Sequence, residues 1–170
     1  MIDTLLLSVQ ARLREEVKEL RYIDKDWGQL GYPQPAVAWP CALLDVENIG
    51  YTQTAQGGEV ADGSIIITVA NQRLTSSSQK APRREEAYKT IELIGKMHQA
   101  LQLFTDGTYA PLFRSALRRV RIDSSREEYQ LIYQTAFVTA VDLGEGSVPG
   151  GSVKIEIDQG IWEYESELDK

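Results

Sequence analysis

The chain has 170 residues, of which 42% are hydrophobic and 25% charged, and its formal net charge is -7. This length fits one domain with a tail better than two domains, and the composition excludes wholesale disorder. The acidic balance argues against a protein whose main task is to neutralise phosphate. The single cysteine, Cys41, excludes an intramolecular disulfide and a thiolate cluster built by one chain, and it favours a reducing compartment.

The first segment predicts an amphipathic helix from Ile2 to about Leu20. Its apolar residues recur at three-to-four spacing, with arginine and glutamate on the opposite face. Acidic Asp3 precedes the apolar run and charged residues follow it, so we expect no signal peptide. No apolar run approaches the roughly 18 to 20 residues needed to cross a bilayer, so we expect no membrane span.

Three segments rich in aliphatic or alternating residues predict strands. Residues 41–47 and 64–70 are expected to pair antiparallel, and the glycine-containing stretch between them predicts a loose hairpin or an extension of the strands. Residues 128–141 alternate with period two far beyond the usual five or six residues, which predicts a long central strand. Prolines and glycines in residues 22–40 predict an ordered loop.

A second, longer amphipathic helix is predicted from about Arg83 to Phe104, after a polar loop that is a candidate functional segment. The expected fold class is therefore α+β, a mainly antiparallel β-sheet packed on one face by two amphipathic helices. We expect a domain over residues 1–143, followed by a glycine-rich linker and an acidic C-terminal arm over residues 144–170. The core face of the second helix is predicted to carry Ala87, Ile91, Ile94, Met97, Leu101 and Phe104.

No pattern in the chain predicts a catalytic, cofactor or metal site. His98 is the one histidine and has no partner at metal spacing, and no nucleophile-elbow or phosphate-loop sequence is present. Asp45 with Glu47 places two carboxylates on one strand face, as does the pair Glu156 and Asp158. Such pairs can hold Ca²⁺ or Mg²⁺ if other oxygens converge, although a solvated strand face is the commoner explanation. Cys41 is expected in the core.

Charge is distributed unevenly along the chain. A basic cluster follows the second helix, whereas the last fifteen residues carry six carboxylates and one lysine. The cluster is interpretable as a nucleic-acid patch, as a subunit contact with the acidic arm of a neighbouring copy, or as a separately solvated face. Of the two functional interpretations we favour the subunit contact, because the chain is acidic and no base-stacking aromatics are interleaved with the arginines. The predicted interface residues are Arg114, Arg118, Arg119, Arg121, Trp162, Tyr164 and Glu165.

The order of predicted elements is similar to that of the tail terminators and related neck or minor tail proteins of tailed bacteriophages and prophages. The similarity covers roughly Met1 to Leu143 and is one of layout. It is carried by the opening MIDTLLLSVQARLREEV, by SIIITVANQRL leading into the helix with AYKTIELIGKMHQAL, and by the closing strand YQLIYQTAFVTAVDL. The arm after Gly144 departs from the minimal pattern.

This resemblance implies a structural protein that forms a ring, commonly a hexamer, which caps the tail tube and joins it to the head. It implies no catalytic residue and no cofactor. The implied partners are other copies of the chain and the tail-tube and head-neck proteins, with DNA as passing cargo and no membrane. The implied location is the bacterial host cytoplasm during assembly and then the tail or neck of the virion.

Overall fold

The computed structural model of the chain describes residues 2–53, 58–72, 76–120, 125–140, 155–157 and 160–162. The chain divides into two compact units, Met1–Ala140 and Val141–Lys170. In the second unit, two short strands, β6 and β7, pair antiparallel as a separate sheet. Their bounds are Ile155–Ile157 and Gly160–Trp162.

The first unit is built on five strands, β1 Tyr22–Lys25, β2 Cys41–Gln53, β3 Gly58–Gln72, β4 Phe113–Val120 and β5 Arg126–Ala140. They form one sheet with the order β1-β2-β3-β5-β4. The pair β1–β2 is parallel and the other three pairs are antiparallel, so the predicted α+β class with a mainly antiparallel sheet is confirmed. The predicted pairing of residues 41–47 with 64–70 is also confirmed, in the register from Cys41↔Ala70 to Glu47↔Ser64.

Two helices cover one face of this sheet. Helix α1 spans Ile2–Glu16, and helix α2 spans Lys89–Leu101 after a 3-10 turn at Arg84–Tyr88. The helices pack against each other, and the Arg12 Nε on α1 donates a hydrogen bond of 3.2 Å to the Ala100 carbonyl on α2. Both helices are shorter than their patterns predicted. Helix α1 ends at Glu16, and the residues on either side of α2 form the 3-10 turn before it and a turn after Leu101.

The alternation of the strands separates the sheet into a helix face and an outer face. On the helix face, residues such as Leu44, Ile67, Leu131 and Tyr133 join the buried residues of both helices in one core. This burial of apolar surface is the main stabilising contribution to the fold. The two helices and the sheet therefore share one core, and strands β1 and β4 form the edges of the sheet.

The outer face is covered at its β1 end by the segment that follows β1. Leu30, in a 3-10 turn of this segment, is buried with Cys41, Leu43 and Ala70 of the sheet. The expected core position of Cys41 is confirmed, since its exposed fraction is 0%. The prediction of a loop over residues 22–40 was incomplete, because its first residues form β1 and extend the sheet.

Candidate functional site at the two free sheet edges

Strand β4 forms one edge of the sheet. One side of β4 pairs with β5, and within the described ranges no strand pairs with its other side. Its side chains are exposed except for Ala116 and Val120, which are half-buried, and the exposed apolar residues Phe113 and Leu117 stand at 52% and 48%. An unpaired edge of this kind presents backbone N–H and C=O groups that can pair with another chain.

A bulge at Ser115 determines where the side chains of β4 point. Arg114 pairs with Tyr133 and Ala116 pairs with Ile132, so Ser115 is the extra residue, and its hydroxyl donates a 3.2 Å hydrogen bond to the Ile132 carbonyl. The bulge shifts the alternation by one residue beyond this point. As a result Leu117 lies on the helix face although Phe113, four residues earlier, lies on the outer face.

The predicted arginine cluster is divided between the two faces of β4. Arg118 pairs with Gln130 on the outer face, whereas Arg114 and Arg119 pair with Tyr133 and Tyr129 on the helix face. The Arg119 guanidinium lies 6.0 Å from the centre of the Tyr129 ring, a cation–π contact. None of the three makes a salt bridge to a carboxylate that the structure describes.

For the other predicted interface residues, the structure describes only the backbone of one and nothing of the rest. Arg121, Tyr164 and Glu165 lie outside the described residues. Trp162 ends β7 in the second unit, and its side chain lies outside what the structure describes. The predicted contact between the arginines and the acidic arm therefore stays a prediction.

The opposite side of the sheet has a second free edge, along the distal part of β2. Strand β1 pairs with Cys41–Leu44, and the Asp26 amide then donates a 2.7 Å hydrogen bond to the Leu44 carbonyl. From Asp45 to Gln53, no strand in the described part of the chain occupies this side of β2. Sequence reasoning did not identify this edge, because β1 and its short length were not predicted.

The free edge of β2 is acidic. Asp45 and Glu47 pair with Ile66 and Ser64, so both carboxylates lie on the outer face, and both are exposed. The whole strand contains no lysine or arginine, just as β4 contains no aspartate or glutamate. The carboxylate pair singled out in the sequence thus lies on a solvated strand face, as the commoner interpretation expected.

Tyr133 on β5 and His98 on α2, the single histidine, are in contact on the helix face of the sheet. The Tyr133 hydroxyl lies 3.3 Å from His98 Nδ1, and the two rings are 6.3 Å apart. Burial raises the pKa of Tyr133 to about 12, and burial together with the nearby Arg114 lowers the pKa of His98. Both groups are therefore neutral at pH 7, and the contact serves to hold α2 against β5.

Glu128, at the start of β5, is a buried carboxylate that sequence reasoning missed. It lies on the outer face opposite Ala70 and is 7% exposed, and its Oε2 has no hydrogen-bond partner among the described residues. Burial raises its pKa, while Arg126 opposes this rise and Asp26 adds to it. A glutamate within an alternating strand is expected to face solvent, so the strand pattern alone could not reveal this burial.

We expect Glu128→Gln to change how stability depends on pH. Because folding raises the pKa of Glu128, its destabilising effect is absent below the unfolded pKa and develops as pH rises through the folded pKa. Relative to the wild type, the variant should therefore gain unfolding free energy between pH 4 and pH 8. Urea unfolding across this range measures the difference. The matched control is Glu127→Gln, on the other face of β5, and an equal gain for both variants would contradict the prediction.

A groove of about 470 Å³ lies between the end of α1 and helix α2. Four cationic side chains and two glutamates line it, and Lys96 forms a salt bridge with Glu19 across it. Its charges are thus partly compensated within the groove. The described residues contain no cluster of three or more histidine, cysteine, aspartate or glutamate side chains that could hold a metal ion. Nor is any helix among them both long and apolar enough to cross a membrane.

No family model matches the chain, and no curated protein matches it. Among solved structures, one with a similar fold is a chain from the "Virion of native gene transfer agent (GTA) particle". The two chains superpose with a TM-score of 0.57 over 81% of this chain and 98% of that chain, and their sequences are 14% identical. The α+β fold of this chain is thus similar to that of a protein found in a virion particle.

Proposed function

We propose that the chain is a structural protein of a phage-like virion, and that it forms a ring that caps the tail tube and joins it to the head. The observation that carries this proposal is the similarity to a virion protein over 98% of that protein's length. The resemblance of the element order to tail terminator and neck proteins supports the same class. Its partners are then further copies of the chain and the adjoining tail-tube and head-neck proteins.

The shape of the sheet supports an assembly role. A ring needs two different surfaces on each copy, one that contacts the copy before it and one that contacts the copy after it. The free edges of β4 and β2 lie on opposite sides of the sheet and carry opposite charge. A nucleic-acid role for Arg114, Arg118 and Arg119 has less support, because β4 directs these arginines to two different faces.

The acidic balance of the chain supports the passage of DNA as cargo without tight binding. Residues 141–170 contain eight acidic residues and two lysines, so they account for a net charge of -6 out of the total of -7. Negative charge of this kind repels the phosphate backbone. We propose that DNA passes through the ring while the protein contacts are made between copies and with the tail.

We expect the full-length chain to form a particle with a mass near six times the 19.1 kDa of one chain. The measurement is light scattering on a size-exclusion column at two protein concentrations, in low and in moderate salt, with negative-stain images to show the ring. A chain that ends at Leu143 is the comparison that tests the contribution of the acidic arm. A monomeric mass under every condition, with no ring in the images, would contradict self-assembly.

A further inference from the structure

We infer that the ring contact is a strand pairing in which β4 of one copy adds antiparallel to the free edge of β2 on the next copy. This inference rests on the proposed ring assembly and specifies the surface that makes it. Strand β4 offers eight residues, and the uncovered part of β2, Asp45–Gln53, offers nine. Each side therefore extends for roughly 25 to 30 Å. A bulge interrupts each edge, at Ser115 in β4 and between Glu47 and Gly50 in β2, so we place the ladder beside Arg118 and Asp45–Glu47.

The strand directions are consistent with this pairing. Strands β2, β3, β5 and β4 are antiparallel neighbours in that order, so β4 runs opposite to β2 within one copy. If one copy is rotated into the next around an axis close to the strand direction, every strand keeps its direction. The β4 edge of one copy then meets the β2 edge of its neighbour antiparallel, the more stable of the two ladder types.

Charge selects this head-to-tail pairing over a symmetric one. Two copies paired through β4 would place three arginines on each side of the contact, and two copies paired through β2 would oppose Asp45 and Glu47 with themselves. Like charges across a ladder are destabilising and opposite charges are stabilising. The arginine-bearing edge therefore fits the acidic edge of a second copy better than it fits itself.

The faces of the side chains identify the residues that meet. Arg118 lies on the outer face of β4, and Asp45 and Glu47 lie on the outer face of β2. In a continuous sheet these three side chains share one face, so Arg118 contacts one or both carboxylates of the neighbouring copy. Within a single copy, β5 and β3 separate β4 from β2, which places the two edges roughly 14 Å apart.

Charge reversal tests the pairing. We expect Arg118→Glu to raise the concentration for half-assembly about tenfold, because it replaces an attraction at every contact with a repulsion. Adding Glu47→Arg to that variant should restore assembly, since each contact then pairs Glu with Arg again. Arg119→Glu is the matched control, with the same charge change on the same strand but on the other face, and it should have a smaller effect.

Cysteine crosslinking tests the contact directly. The native Cys41 is fully buried, so introduced cysteines provide the reactive thiols. Arg118→Cys combined with Glu47→Cys, or with Asp45→Cys, should form disulfide-linked oligomers up to the size of the ring, because a disulfide joins residues whose Cα atoms lie about 4.4 to 6.8 Å apart. Arg119→Cys combined with Glu47→Cys should give much less product.

Each result supports or overturns the inference. Rescue by Glu47→Arg together with the crosslinked oligomers supports it. A ring that persists with Arg118→Glu and gives no crosslink overturns the β4–β2 contact but leaves the ring function intact. Loss of the ring only on truncation at Leu143 assigns the contact to the acidic arm instead. Crosslinking that stops at dimers through Arg118→Cys alone overturns the inference in favour of symmetric β4 pairing, and a monomer under all conditions overturns both proposals.

Discussion

Replacing Tyr133 with alanine should lower the free energy of unfolding by about 3 to 5 kcal/mol, the range found when buried aromatic side chains are truncated. Tyr133 has no exposed surface and lies on the helix face of β5, between Ile65 on β3 and Arg114 on β4. Removing the ring leaves a cavity between the strand and α2, and the surrounding backbone cannot close it without breaking ladder hydrogen bonds. Urea unfolding followed by circular dichroism, under conditions where the protein is monomeric, measures the loss.

Two further variants separate the contribution of the aromatic ring of Tyr133 to stability from that of its hydroxyl group and from that of its position on β5. Tyr133→Phe keeps the packing and removes the contact with His98, so it should cost about 1 kcal/mol. Val138→Ala is a truncation on the same strand at a side chain that is 66% exposed, and we expect a change within about 0.5 kcal/mol. Equal losses for Val138→Ala and Tyr133→Ala would show that β5 does not form the core as described.

On helix α2, Met97→Ala should lower the free energy of unfolding by about 2 to 5 kcal/mol. Met97 has no exposed surface and packs in the core that joins both helices to the sheet. The matched control is Ile91→Ala on the same helix, where the side chain is 45% exposed and the expected change is within about 0.5 kcal/mol. Thermal unfolding by calorimetry provides a second measurement of the difference, and a larger loss for Ile91→Ala would contradict the orientation of the helix.

Ile91 also shows where the helical pattern in the sequence predicted the wrong burial. The pattern placed Ile91 and Met97 on the same buried face, but in the structure Thr90 and Leu93 are buried while Ile91 faces outward. Six residues of an α-helix advance by about 600°, so Ile91 lies about 120° around the helix axis from Met97, whereas Thr90 lies about 20° and Leu93 about 40° from it.

Strands were predictable where alternation was long and uninterrupted. The long strand at residues 128–141 and the pairing of 41–47 with 64–70 were predicted correctly, but the central strand of the sheet is β3, and β5 lies between β3 and the edge strand β4. Strand β4 was not predicted, because the bulge at Ser115 interrupts its period-two pattern and its exposed position allows arginines on both faces. Strand β1 was missed because four residues beside a proline-rich segment carry too little pattern.

The residues of the candidate site could be identified from the sequence, but their positions on the sheet could not. Arg114, Arg118 and Arg119 were noticed as a cluster, and Asp45 with Glu47 as a pair, but neither pattern shows that the two lie on opposite edges of one sheet. That relation depends on strand order, which is set by pairings between residues far apart in the chain. Local patterns carry no information about such pairings, so the complementarity of the edges required the structure.

The same long-range pairing has a consequence for how the protein is made. Strand β3 ends at Gln72, but its partner β5 begins at Arg126 and ends at Ala140. At about 5 to 20 residues per second, the ribosome needs about 3 to 10 s to synthesise the chain between these two strands. During that interval the aliphatic run at Ile65–Ile67 lacks the neighbour that later covers it in the sheet. The complete sheet therefore forms only after nearly the whole first unit has been synthesised.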